Sequence, residues 1–266
     1  MATVEQICAL MEAWAPVRTQ YSFDNSGLQT GDCCAEVSRV LVALDVDEAV
    51  LEECMQKQAQ LLITHHPLIF SPLKSVGSDT REGRLLMKAI RSGVAVYSSH
   101  TPLDGAEGGV NDELCRLLGV VPYAGLELQY SDAQRTVYCG RVGELNPPLR
   151  LRELSVRTAA ALGAGQCRAI GNDDRLLRRA AVCSGAGGSF VQAAAEAGAD
   201  VLITGELKHH EMLAVRELGL CAVEAGHYYT EAPVTDRVIE YLQNRIHVLQ
   251  YQVQVMKSEC QSNPFH

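Results

Sequence analysis

The sequence predicts an α/β fold made of two similar α/β lobes on mainly parallel sheets. Three observations carry this reading. Short aliphatic runs alternate with segments of helical period along most of the chain, the pattern of strand–helix–strand crossovers. Glycines such as Gly93 and Gly119 close the helical segments, as helix ends favour. The two halves also resemble each other: "AQLLITHH" (59–66) matches "ADVLITGE" (199–206), and "VAVYSSHTPLD" (94–104) parallels "LCAVEAGHYYTE" (220–231). Repeated units of this kind point to duplication, and the expected lobes are 1–130 and 131–266, with the N- and C-terminal segments free to pack together.

In chain order, "MATVEQICALMEAW" reads as an amphipathic helix with Val4, Ile7, Leu10 or Met11, and Trp14 on one side. "RVLVAL" (39–44) is a buried strand, "DEAVLEECMQKQA" (47–59) a helix and "LLIT" (61–64) a strand. After a polar loop come a helix over 81–93, the strand "VAVYS" (94–98) and a helix over 108–119. The second half supplies strands in "RRAAVCSGAGG", "DVLITGE" and "LCAVEAG", helices in "SFVQAAAEAGA" and "HHEMLAVRELG", a long helix in "TEAPVTDRVIEYLQNRI", and a last strand in "HVLQYQVQV".

The 266 residues are 47% hydrophobic and 21% charged, ordinary for a globular protein with a substantial core. A formal net charge of -9 argues against a phosphate-tracking surface, which needs clustered Lys and Arg. No run reaches the length of a membrane span, and the N-terminus lacks the basic start of a signal peptide. The 10 cysteines are spread without a C-x-x-C pair, so they read as reduced, mostly buried thiols of a cytoplasmic protein. Cys33–Cys34, expected in a loop, is the exception.

The chemistry gathers at strand ends. His65 and His66 follow "LLIT" directly, and His100 and His227 each close a strand, with Asp104 and Glu231 four residues beyond. The carboxyl edge of a parallel sheet is where open α/β folds place ligands. A spacing of four brings side chains to one side of a helical turn, and a tight loop does the same. Imidazole and carboxylate together suit borderline divalent cations. Five or six such donors exceed one tetrahedral ion with an open position, but fit two ions sharing a bridging carboxylate and water. A lone histidine at a strand end is usually a surface residue. His209, His210, His247 and His266 are read that way.

"ITHHPLIF", "SSHTPLDGAEGGVND" and "GHYYTE" resemble three signature blocks of the Nif3-like proteins, also known as GTP cyclohydrolase 1 type 2 homologues. "DNSGLQTGD", "GAGGSF", "ADVLITGELKHHE" and the tail "SNPF" extend the likeness over nearly the whole chain. The resemblance implies a duplicated α/β lobe of the short form and a dinuclear centre of zinc, manganese, iron or nickel. The ligands it implies are His65, His66, Asp104, His227 and Glu231, with Glu231 or an Asp as the bridge. It implies for His100 a role in orienting a ligand or shuttling a proton. It also implies a toroidal homohexamer, and metal-assisted hydrolysis of GTP, of another nucleotide or of a phosphoester. The competing expectation is a metal-carrying or regulatory ring without catalysis. A ring that binds single-stranded nucleic acid is disfavoured by the acidic charge.

Three other stretches bear on the site. "DNSGLQTGD" is a turn, either contacting substrate through Asp24, Asn25 or Asp32 or purely structural. "SGAGGS" (184–189) is a tight strand-to-helix turn, with phosphate contact as the lesser alternative. The loop 71–80, with Lys74 and Gly77, suits a flap or an ordinary solvated loop.

Overall fold

Five almost wholly buried segments, Arg39–Ala43, Leu61–Thr64, Ala95–Ser98, Val201–Thr204 and Cys221–Glu224, pair in parallel. Only the ends of the set, Arg39 and Glu224, reach partial exposure. Continuous apolar runs suit strands covered on both faces. The computed structural model describes residues 2–261, 263 and 264. Met1, Ser262 and Phe265 of the "SNPF" tail, and His266 lie outside the described residues.

Contacts divide the chain into two compact units, Met1–Leu103 with Thr235–His266, and Asp104–Val234. The boundary expected near residue 130 falls inside the strand Val120–Ser131.

The first unit holds a five-stranded sheet in the order Gln254–Lys257, Arg39–Ala43, Leu61–Thr64, Ala95–Ser98, Gly27–Thr30. Its ladders are parallel except that of Gly27–Thr30 with Ala95–Ser98. Leu41, Leu62 and Val96 alternate onto one face and pack with Val50, Leu51 and Cys54 of helix Glu48–Gln56 and Leu85, Leu86 and Ala89 of helix Arg81–Ser92. Thr80 caps the latter helix and Gly93 ends it at φ +68°, a conformation that costs glycine little. The N-terminal helix Val4–Trp14 buries Val4, Ile7, Cys8, Leu10 and Met11, and a capping box from Thr3 and Gln6 starts it. Trp14 stacks on Tyr241 with centroids 4.5 Å apart.

The second unit holds a six-stranded sheet in the order Val120–Ser131, Thr136–Arg150, Leu176–Cys183, Val201–Thr204, Cys221–Glu224, Arg168–Ile170. The middle ladders are parallel and the flanking ones antiparallel. The long hairpin 120–150 and helix Leu151–Leu162 occupy a stretch to which the sequence pattern assigns no element. The terminal elements also differ from expectation. Helix Val234–Val248 absorbs His247 and Val248, and the last strand is Gln254–Lys257. Helical spacing continues through buried Leu242 and Ile246, and the left-handed φ of +57° at Gln250 ends it. Among the described residues no helix is long and apolar enough to cross a membrane.

Candidate metal centre

The first unit gathers three imidazoles at the carboxyl ends of two adjacent parallel strands. His65 and His66 leave Leu61–Thr64, and His100 follows Ala95–Ser98 by one residue. Ring centroids lie 5.0 Å apart for His65–His66, 5.2 Å for His65–His100 and 5.5 Å for His66–His100. One donor atom of each lies within 4.8 Å of the others, so the three form a group able to hold a metal ion.

Each ring is oriented through Nδ1 by an oxygen. His65 Nδ1 donates to Ser99 O at 2.9 Å, His66 Nδ1 meets Asp45 Oδ1 at 2.8 Å and His100 Nδ1 meets Asp24 Oδ1 at 2.9 Å. Because a carbonyl only accepts, the His65 proton sits on Nδ1 and the lone pair of the neutral ring is on Nε2. An acceptor behind a ligating histidine fixes its tautomer and raises its basicity.

"DNSG" proves to be the seat of His100. The Asp24 side chain is fully buried. Its Oδ2 accepts from Thr101 N at 3.0 Å and Thr101 Oγ1 at 2.6 Å, and Ser26 Oγ accepts from His100 N at 3.0 Å. Burial pushes the Asp24 carboxyl up, but the hydrogen bond and charge of His100, with Thr101 and the Asn25 amide, outweigh it and hold the group well below the usual carboxylate range. Beyond His100, Phe70 stands edge-on at 6.0 Å and Phe23 lies 6.4 Å from Phe70. Both phenyl rings are about half exposed.

The second unit gathers carboxylates and one imidazole of its own. His227 opens the short helix His227–Glu231 directly after Cys221–Glu224 and Gly226. Its Nε2 lies 3.0 Å from Glu231 Oε2, so the spacing of four does bring the pair together. Its Nδ1 lies 3.2 Å from Glu206 Oε1. Glu231 is buried over the turn 184–189. At Gly185, with φ +60°, an added Cβ would collide with Glu231 Oε1 and stand 3.2 Å from His227 Nε2. "SGAGGS" is therefore a turn thinned so that this pair can pack onto it, and Gly185 N is satisfied by Thr230 Oγ1 at 3.0 Å.

Asp104 lies on the helix Thr101–Gly105 and takes a long hydrogen bond from Ser184 Oγ at 3.4 Å. Buried Asn111 donates to Asp104 O at 3.0 Å and accepts from Ser184 N at 2.9 Å. Arg141 donates to Gly105 O and Ala106 O, fixing the end of that helix. Of the orienting residues, Glu206, Asn111 and Ser184 fall inside stretches the sequence singles out without marking their roles, and Asp45 falls in none. His209, His210 and His247 are exposed. The loop 71–80 is exposed throughout up to Thr80 apart from a half-buried Gly77.

A family model for Duf34/NIF3 (NGG1p interacting factor 3) matches residues 2–264. The chain belongs to this family. Its relatives include the GTP cyclohydrolase 1 type 2 homolog of Clostridium perfringens, 32% identical over 262 residues, with 98% of each chain covered. The homolog of the same name from Clostridium acetobutylicum is 30% identical over 262 residues, covering 98% of this chain and 97% of that protein. Among solved structures, the Bacillus cereus protein related to NIF3 matches with a TM-score of 0.94 at 24% identity, covering 100% of this chain and 99% of the other. Reduced HcgD from Methanocaldococcus jannaschii matches at 0.80 and 27% identity, with 97% and 98% covered. The two sheet-containing units thus have the NIF3 fold. The His, Asp and Glu groups described above are consistent with metal binding.

Proposed function

We propose that this chain is a metal-dependent hydrolase of a nucleotide or related phosphoester, with His65, His66, Asp104, His227 and Glu231 holding two divalent ions of zinc, manganese, iron or nickel. The observation that carries the reading is the convergence of His65, His66 and His100, each ring fixed through Nδ1 by an oxygen. Neutral imidazoles set in this way, together with carboxylate ligands, form the donor set that borderline cations favour. When bound, such ions supply the Lewis acidity that makes water nucleophilic at neutral pH and stabilises charge on the attacked and departing oxygens.

The residues do the remaining work. Asp24 holds the Nδ1 proton of His100 and stabilises the imidazolium, so His100 can take a proton at Nε2 and return it to a leaving group. Phe23 and Phe70 offer exposed flat faces on which a purine can stack. The names of the relatives, GTP cyclohydrolase 1 type 2 homolog, favour GTP as the first substrate to test. The same resemblance supports a cytoplasmic homohexamer as the working assembly, which light scattering on the purified protein checks.

The deciding experiment measures metal content and turnover of GTP and generic phosphoesters with added manganese or zinc. Wild type is compared with a His227→Ala, Glu231→Ala variant. The variant is expected to lose both metal and turnover. Metal binding without turnover in the wild type would overturn the hydrolase reading in favour of a metal-carrying or regulatory role.

A further inference from the structure

A second cluster of donors lies in the first unit, in the loop between strands Gly27–Thr30 and Glu36–Val37. Cys33 and Cys34 are adjacent and exposed, and their sulfurs stand 3.8 Å apart. Asp32 adds a carboxylate oxygen, and all three donor atoms lie within 4.8 Å of one another. The sulfur separation is informative. Two thiolates about 2.3 Å from a tetrahedral zinc ion stand about 3.8 Å apart, so the pair already has the bite of a chelate.

The loop is fixed in this form. Glu5 N donates to Cys33 O at 2.9 Å, Val4 N to Ala35 O at 2.9 Å and Ala35 N to Asp32 O at 3.2 Å. Cys34 N donates to Asp32 Oδ1 at 2.9 Å. Gly31, at φ +118°, lies so close to Ala95 that a Cβ would collide with it. Backbone ordering is thus complete before any ligand arrives, which lowers the cost of binding. The Asp32 carboxylate beside the pair places negative charge where a cation would sit.

We propose that Cys33, Cys34 and Asp32 form a surface site for a thiophilic divalent cation, zinc or cadmium, chemically distinct from the histidine–carboxylate centre. Both thiols release their protons to solvent as the two sulfur–metal bonds form, with no change of oxidation state. Asp32 supplies a third ligand, and water completes the shell. The other cysteines do not compete on equal terms, since seven are buried and only Cys260 is also exposed.

The test is a cadmium titration of the reduced full-length protein, read by the ultraviolet sulfur-to-metal charge-transfer band. The histidine–carboxylate centre has no sulfur and is silent in this readout. Wild type, Cys260→Ser and His227→Ala are expected to reach the same limiting band intensity, that of one ion bound by two sulfurs per chain, whatever further cadmium the silent centre takes up. Cys33→Ser and Cys34→Ser should each bind at least tenfold more weakly, with unchanged far-ultraviolet circular dichroism. A wild type without the band, or a Cys33→Ser, Cys34→Ser double variant that retains it, would overturn the proposal.

Discussion

The two units use one crossover plan to present different chemistry. In the first, Gln60 N donates to Arg39 O at 3.1 Å, His66 N to Leu44 O at 2.9 Å and Ser99 N to Thr64 O at 2.8 Å. In the second, Asp200 N to Arg179 O at 2.8 Å and Ala225 N to Thr204 O at 2.9 Å match the first and third of these, whereas Glu206 N reaches Gly185 O at 3.0 Å, one residue beyond the position equivalent to Leu44. The backbone is therefore the same along the strands and shifts by one residue at the turn where the side chains differ most. After the central strand the first unit has His65–His66 and the second has Gly205–Glu206. One unit presents imidazoles backed by oxygens. The other replaces side-chain bulk with glycine, so that Glu231 and His227 lie against its backbone. Side-chain chemistry at this edge is thus a matter of two or three residues per strand end, carried on similar sheets.

A second contrast lies in assembly. The second unit is one continuous segment, whereas the first is completed by the returning C-terminal strand Gln254–Lys257 beside Arg39–Ala43. Buried Glu53 ties that return: its carboxylate lies 2.6 Å from Lys57 Nζ and accepts from Ser258 Oγ at 2.5 Å, Glu259 N at 3.0 Å and Cys260 N at 3.3 Å. Burial raises the Glu53 carboxyl, but Lys57, Ser258 and these amides outweigh it and lower it from 4.5 to about 2. A lowered carboxylate contributes stability that is full above the unfolded value and is lost as pH falls through the folded one. Glu53→Ala should cost about 3 kcal/mol, the largest effect expected. Urea denaturation from pH 7 downward should show the gap between wild type and variant closing between pH 4.5 and 2.

The glycine turn of the second unit gives the next effect. Gly185→Ala places a Cβ into Glu231 Oε1 and strains a positive φ, which costs on the order of 1–3 kcal/mol. It should also displace Glu231 and weaken metal binding at least tenfold, measured by calorimetric zinc titration. An equally large loss from Asp45→Asn in the first unit would contradict the difference drawn between the units.

These contrasts also explain what was legible in the sequence. The parallel strands announce themselves because both faces are covered, which leaves runs such as "LLIT" and "VLIT" entirely aliphatic. The hairpin strand Val120–Ser131 is exposed or half-buried at every position after Val120, so it offers no hydrophobic period to read. The clustering of His65, His66 and His100 was legible from their place at strand ends. Their orienters were not, because the relation is made by folding: Asp45 precedes His66 by 21 residues and Asn111 reaches Ser184 across 73. Asp24 was half legible. Its loop stands out, but its role beneath His100 exists only once the strands are paired.

The orienters of the first unit permit a finer test. Asp24 is fully buried at its side chain, while the Asp45 side chain is 39% exposed. A buried acceptor with several donors fixes a ring far more firmly than one that shares its hydrogen bond with water. Asp24→Asn should therefore lower metal affinity or turnover 10- to 100-fold, the range for residues behind a ligating or proton-transferring histidine.

Asp45→Asn gives the smallest expected effect, a factor of a few in metal affinity by competition against a chromogenic chelator, because water can replace much of what the carboxylate does for His66. The asymmetry also has a salt dependence. An exposed pair is screened and a buried one much less so. Raising ionic strength should narrow the gap between wild type and Asp45→Asn while leaving that of Asp24→Asn in place. Equal responses of the two variants to salt would mean that burial does not decide how firmly each imidazole is held.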